Sequence, residues 1–138
     1  MNRTMDLNQE RGAAAVEFAV VMILLMILVF GLIEFGIAFS KLNVYTGAAR
    51  EGARYAAVHC SPDSPCDNSK IAARVEEAAV GYPIEPGSPT ADTVCDSDTI
   101  GDPVTVSWTQ NITVNIPFVP GLNPATFSRT VAGVFRCE

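Results

Sequence analysis

The chain has no cysteine before residue 60 and no charge between Phe18 and Ile33. No Ser-x-Gly elbow, phosphate-binding glycine loop or HExxH helix occurs, which removes the common hydrolase, nucleotide-binding and zinc-protease sites. His59, the one histidine, is adjacent to Cys60, and neighbouring residues rarely face each other productively as nucleophile and base. The expectation is a protein that is not an enzyme, with no catalytic residue, no cofactor and no small-molecule substrate. Basic residues are scarce in the second half. Cys60 to Glu138 holds four of them against ten acidic ones and carries the whole net charge of −6. Such a surface repels phosphate, so nucleic acid is excluded as a partner. No internal repeat is present.

What the chain does have is concentrated. Its 138 residues suffice for one domain. The apolar fraction of 49% gathers largely between Ala13 and Phe39. Ala13 to Ala38 is 26 residues, about 39 Å as a helix at 1.5 Å per residue. That exceeds the roughly 20 residues a bilayer crossing needs and the apolar core of about 7–15 residues in a removable secretory signal. Charges on either side are nearly balanced, with Arg3 and Arg11 before the run and Lys41, Arg50 and Arg54 after it. The positive-inside rule therefore orients it weakly. All four cysteines, Cys60, Cys66, Cys95 and Cys137, follow the run. An even number beyond a membrane helix suggests disulfides in an oxidising compartment, which favours a C-terminus outside the cytoplasm. Three pairings are possible. Cys60–Cys66 with Cys95–Cys137 is favoured, and zinc is the rival. The five-residue spacing between Cys60 and Cys66 is wide for a zinc pair, and metal ligation is not expected.

The organisation expected is a polar leader over residues 1–12, a transmembrane helix over 13–39, its amphipathic continuation over 40–59 and an extracytoplasmic head over 60–138. Ser40 to Val58 lacks proline. Val44, Ala48 and Tyr55 share one stripe while Arg50, Glu51 and Arg54 lie mostly on another. Glu51 and Arg54, three apart, can pair for tenths of a kcal/mol. Gly47 and Gly52 weaken the helix by about 1 kcal/mol each against alanine, but allow a neighbouring helix close approach. Pro62 and Pro65 end this helix. A second runs from Ser69 to Val80, with Asp67, Asn68 or Ser69 as N-cap and Ile71, Val75, Ala78 and Ala79 as its apolar face. Gly81 and Pro83 stop it.

The rest reads as strand. Val104, Val106 and Trp108 alternate with polar residues, as do Ile112, Val114 and Ile116. Thr109-Gln110-Asn111 fits a turn between two strands or the middle of one. Pro117, Pro120, Gly121 and Pro124 force a connection, and Phe127 to Phe135 forms the last strand, with Phe127, Val131 and Phe135 available to the core. The fold class is α+β: a long N-terminal helix, a small head with one further helix, and an antiparallel sheet. Trp108 fits the core or a membrane-proximal anchor. Asn111-Ile112-Thr113 matches a glycosylation sequon at a length common by chance.

The most specific feature is Arg11-Gly12-Ala13-Ala14-Ala15-Val16-Glu17-Phe18, which leads into the apolar run. An ionised carboxylate in lipid needs a partner or a proton. A cut between Gly12 and Ala13 would create an amine one helical turn before Glu17. That amine could neutralise Glu17 in the same chain or in a neighbouring one. Glycine before the cut lets an extended chain approach a protease closely.

These residues resemble the class III signal peptides of the type IV pilin superfamily: Gly12 at the cleavage site, Glu17 at the fifth mature position and an aromatic, Phe18, after it. Ile33-Glu34-Phe35-Gly36 and Ala48-Ala49-Arg50-Glu51-Gly52-Ala53-Arg54-Tyr55-Ala56-Ala57 are similar to the TadE-like family of minor pseudopilins of tight-adherence (Flp, type IVb-like) pilus systems. The resemblance runs from Gly12 to Val58. The ending, Val131 to Glu138, is similar to that family's last strand. The cysteine-bearing loops lie outside the resemblance.

The resemblance implies cleavage after Gly12 by a prepilin peptidase, an aspartic membrane protease. It further implies a mature protein in the cytoplasmic membrane, N-terminus cytoplasmic and head outward. Other pilins or pseudopilins and the assembly platform are the implied partners, in a pilus used for adhesion and driven by a cytoplasmic ATPase. Gly12, Ala13, Glu17 and Phe18 form the processing site. Glu17, Glu34, Arg50, Glu51 and Arg54 are candidate subunit contacts. Glu34 equally fits a side chain reaching to the outer lipid boundary, and Arg50 to Arg54 equally fits a solvated helix face. An uncleaved single-pass envelope protein, or an adhesin with an acidic head, is the alternative.

Overall fold

The computed structural model describes residues 3–61, 63, 67–84, 89–93, 95, 98–117, 119, 121 and 124–138, with side chains from residue 12 onward. Its elements are α1 (Arg3–His59), α2 (Asn68–Ala78), β1 (Thr90–Ala91), β2 (Pro103–Val114) and β3 (Ala125–Arg136). The three strands form one sheet in the order β1-β2-β3. β1 pairs antiparallel with β2, Thr90 opposite Ser107 and Ala91 opposite Val106. Between β2 and β3 two side-chain hydrogen bonds step in opposite senses along the strands. Ser128 Oγ donates to Asn111 Oδ1 (2.6 Å), and the hydroxyls of Thr113 and Thr126 are 3.1 Å apart. The architecture is the expected α+β layout of long apolar helix, second helix and antiparallel sheet.

The chain divides into two compact units. One holds Met1–Gly36 with Val114–Ala125, the other Ile37–Thr113 with Thr126–Glu138. In the first, the apolar side chains of α1 find almost no cover. Phe18, Leu24, Leu32 and Phe35 are all exposed. An apolar face left open all round is the pattern of a lipid-immersed helix. α1 is long and apolar enough to cross a membrane. Its helical backbone already begins at Arg3, so the polar leader is a continuation of the helix.

In the second unit, α1 supplies the floor of the core. Tyr45, Ala48, Ala49, Ala53, Ala56, Ala57 and Cys60 are buried against Ile71, Val75 and Ala79 of the α2 region and against Val104, Val106, Trp108 and Val131 of the sheet. The spacing of those α1 positions is that of one helical face. Val44 and Tyr55 flank this face half-buried, so the stripe is centred on the alanines. A β-carbon at Gly52 would lie 2.5 Å from Val75 Cγ2 and 3.4 Å from Val106 Cγ1. The close approach that Gly52 permits is thus made by α2 and β2 of the same chain. Gly47 has open space.

The local signals explain the elements. Asp67 is the N-cap of α2, accepting from Ser69 N–H at 3.0 Å. Hydrogen bonds from Ser69 hold its carboxyl below the ordinary value of 3.8. Ile71 and Val75 are the buried face of that helix. β2 is one strand, not two. Val104, Val106, Trp108, Gln110, Ile112 and Val114 all point inward, a period of two carried through the polar centre. β1 is a short strand that the sequence pattern did not suggest. Its pairing is extended by Asp92: its N–H donates to Thr105 O (3.0 Å), and its carboxylate accepts from Thr105 N–H (2.7 Å). Burial works against the charge on Asp92. The hydrogen bonds from Thr105 and Thr93 outweigh it and leave the carboxyl below its ordinary value. β3 differs from expectation at one end. Val131 is buried and Phe135 packs against the core, but Phe127 is exposed. Thr126 to Thr130 are exposed on both faces of the strand, so Phe127 shares the face of Val131 and Phe135 but is left uncovered, whereas Gly133 further along lies against α1.

Cys95 and Cys137 form a disulfide with Cα atoms 5.5 Å apart. Both are buried, and the backbone beside them is tied. Gly101 N–H donates to Cys137 O and Cys137 N–H to Asp102 O, each 2.9 Å. Cys60 is disulfide-bonded as well. The expected partner, Cys66, lies outside the described residues, as do Pro62 and Pro65. No group of His, Cys, Asp and Glu able to hold a metal exists among the described residues.

Candidate functional site

The candidate residues are carried by α1 and fall in separate stretches of it. Gly12, Ala13, Glu17 and Phe18 occupy successive turns and are exposed. The Gly12–Ala13 peptide is inside the helix. A protease that takes an extended chain must therefore unwind this turn. Gly12 makes that easier, since glycine costs a helix about 1 kcal/mol relative to alanine. Glu34 is half-buried and accepts a long hydrogen bond, 3.4 Å, from the N–H of Asn115.

Arg50, Glu51 and Arg54 lie on the face of α1 opposite the alanine stripe. Arg50 and Arg54 are exposed and Glu51 is half-buried. Arg54 Nη1 is 3.9 Å from Glu51 Oε2. The residue that organises this surface was not among the candidates. Arg74 of α2 reaches Glu51 at 3.6 Å and Glu77 at 2.6 Å, with its guanidinium carbon 6.0 Å from the Tyr55 ring centroid. Tyr55 stacks on His59 at 4.4 Å. Glu51, Arg54, Tyr55, Val58, His59 and Arg74 line an open depression of about 180 Å³. Ion pairs this exposed contribute at most about 1 kcal/mol each. The arrangement offers charge and aromatic surface to a partner, and no aligned nucleophile and base. Arg74 was legible only as a helix-surface charge; its meeting with Glu51 depends on how α2 packs against α1.

A second feature missed in the sequence is buried. Trp108 Nε1–H donates to Gln110 Oε1 (3.1 Å), Gln110 Nε2–H to Tyr45 Oη (3.5 Å), and Tyr45 O–H to Pro83 O (3.1 Å). The Tyr45 ring meets Tyr82 and Trp108 edge-on, at 6.3 and 6.5 Å. This chain fixes α1, the loop after α2 and β2 to one another.

The alanine stripe and the charged face opposite it include most of the stretch from Ala48 to Ala57 that resembles the TadE-like family. Residues 12–54 match the family model of the TadE-like protein. The match begins at Gly12 and ends at Arg54, and it covers under a third of the chain. It contains the apolar run, Glu17, Glu34 and the floor of the core as far as Ala53. The matched segment holds the apolar, membrane-capable part of α1 and the first part of the core floor, from Tyr45 to Ala53. No curated protein and no solved structure matches the chain.

Proposed function

We propose that this chain is a minor pseudopilin of a tight-adherence pilus. A prepilin peptidase cuts it after Gly12 and leaves it in the cytoplasmic membrane, N-terminus inside and disulfide-bonded head outside. The observation that carries the reading is the TadE-like match over residues 12–54, which starts at the proposed cleavage residue. Three features support it. Glu17 stands four positions after the new N-terminus in an otherwise lipid-facing helix. The helix is long and apolar enough to cross a membrane. The Cys95–Cys137 bond belongs in an oxidising compartment. Residues 13–39 form the anchor, 40–59 its amphipathic continuation, which floors the core, and 60–138 the head itself. The protein acts as a building part of an assembly with other pilins and a membrane platform.

Terminal sequencing of protein isolated from membranes tests this directly. The mature chain begins at Ala13, and Gly12→Leu accumulates uncut, because a bulky side chain keeps the peptide from the protease. A mature chain that retains Met1, or one that starts near Phe39, overturns the reading.

A further inference from the structure

Residues 103–128 contain no Asp, Glu, Lys or Arg, although the acidic remainder of 60–138 carries fourteen such charges. This neutral stretch comprises β2, the start of β3 and the connection between them. The connection belongs to the same compact unit as the apolar part of α1. It meets that helix at Glu34, through the Asn115 N–H. Glu34 is the first charge after the run from Phe18 to Ile33. Counted from Ala13, the start of the anchor, the 21 residues to Ile33 span about 32 Å as a helix, close to the roughly 30 Å of a hydrocarbon core. Large exposed apolar side chains continue past Glu34 through Phe35, Ile37 and Phe39. The outer edge of the lipid accordingly falls at or beyond Glu34, at the level of Asn115.

The side chains that follow Asn115 suit that depth. Ile116, Pro117 and Val119 are half-buried, with the rest of their surface open. Irregular backbone is costly in lipid because its N–H groups lack partners. Pro117, Pro120 and Pro124 have no N–H to satisfy. The connection thus combines apolar side chains, no charge and few donors.

We propose that Ile116, Pro117 and Val119, which follow β2, form a second membrane contact, seated in the boundary between headgroups and acyl chains beside Glu34. The proposal rests on α1 being a membrane anchor. Its consequence is functional: a helix held at one point can rotate about its axis, whereas a second contact fixes which face of α1 is turned toward neighbouring subunits.

The test uses the full-length protein in nanodiscs of phosphatidylcholine and phosphatidylglycerol, with bromine placed on the acyl chains near the headgroup or near the chain end. Tryptophan is introduced as Val119→Trp or Ile116→Trp, as Leu24→Trp within the anchor, and as Ile100→Trp on an exposed loop. The emission of native Trp108 is subtracted. Val119→Trp and Ile116→Trp emit toward the blue and lose about half of the added emission to shallow bromines, less to deep ones, as an interfacial depth requires. Leu24→Trp is quenched by the deep bromines and Ile100→Trp by neither. If Leu24→Trp is quenched but both loop variants behave as Ile100→Trp, the loop contact is wrong and the anchor stands. An unquenched Leu24→Trp removes both. Blue-shifted but unquenched loop variants mean that protein, not lipid, covers the connection, and this also overturns the proposal.

Discussion

Gly133 of β3 lies directly against the peptide that joins Ala49 to Arg50 in α1. A β-carbon at residue 133 would overlap the Ala49 carbonyl and the Arg50 nitrogen. Backbone on both sides leaves no side chain to rotate away, so the sheet would have to lift from the helix. Gly133→Ala is expected to lower the unfolding free energy by about 3 kcal/mol, the upper part of the range for overpacking. Gly47 is the control: nothing lies within 4 Å of a β-carbon there. Gly47→Ala should stabilise by up to about 1 kcal/mol through helix propensity. Denaturant unfolding in detergent, followed by fluorescence of the buried Trp108, reads both. Equal stability of the two variants would show that β3 does not rest on α1 at this point.

Gln110 is 2% exposed and holds Trp108 and Tyr45 by its amide. Gln110→Leu preserves apolar bulk but leaves the buried indole N–H without its acceptor. The expected cost is about 1–3 kcal/mol. Tyr45→Phe removes the hydroxyl that accepts from Gln110 and donates to Pro83. Because the two changes share a bond, the double variant should cost less than the sum of the singles. Additive losses in the same unfolding experiment would mean that the three groups act separately.

This network also marks where sequence reading stops. Alternation around Val104, Val106 and Trp108 was plain, and so was the α2 apolar face of Ile71 and Val75. Thr109-Gln110-Asn111 read equally as a turn, because polarity alone cannot tell a solvated bend from a strand whose central amide has buried partners. One of those partners is Trp108, on the same strand, and the other is Tyr45, 65 residues away. The same limit hid Arg74, whose ion pair with Glu51 needs α2 docked. It also hid β1, two residues long and defined by pairing alone. The apolar run of α1 was legible because it is local in the chain. The core face of α1 was half legible: Val44, Ala48 and Tyr55 marked the right side, but the small residues that admit the sheet became intelligible only with β3 in place.

The Cys95–Cys137 bond closes a loop with a sequence separation of 42. On the chain-entropy account such a loop contributes about 4 kcal/mol. The paired substitution Cys95→Ser with Cys137→Ser should lose about that much. With the cysteines 6% and 4% exposed, reductant in native buffer should leave the bond closed until denaturant opens the fold. Thiol trapping in denaturant, on unreduced protein from cells, should find no reactive cysteine. Four reactive thiols would contradict a head placed outside the cytoplasm.

On the proposed function, Glu17 acts in assembly more than in folding. It is exposed on α1, among side chains such as Val16, Phe18 and Val20 that are exposed too. Folding of the chain therefore leaves its charge to be neutralised by something else. Cleavage after Gly12 would supply an amine one turn away or on an adjacent subunit. In lipid, screening is weak and the attraction strong, although desolvation opposes much of the gain. Glu17→Gln keeps the shape and removes the charge. Membrane insertion should be unchanged, since an amide is no harder to insert than a carboxylate. Cleavage should persist, because the scissile peptide is untouched. Recovery with partner subunits, and pilus formation or surface attachment, should fall. The measurement is crosslinking in membranes at matched expression, comparing the native protein with Glu17→Gln and Glu17→Ala. If both variants crosslink to the same partners in the same yield, and the cells still make pili, Glu17 is an interfacial residue and the amine pairing is wrong.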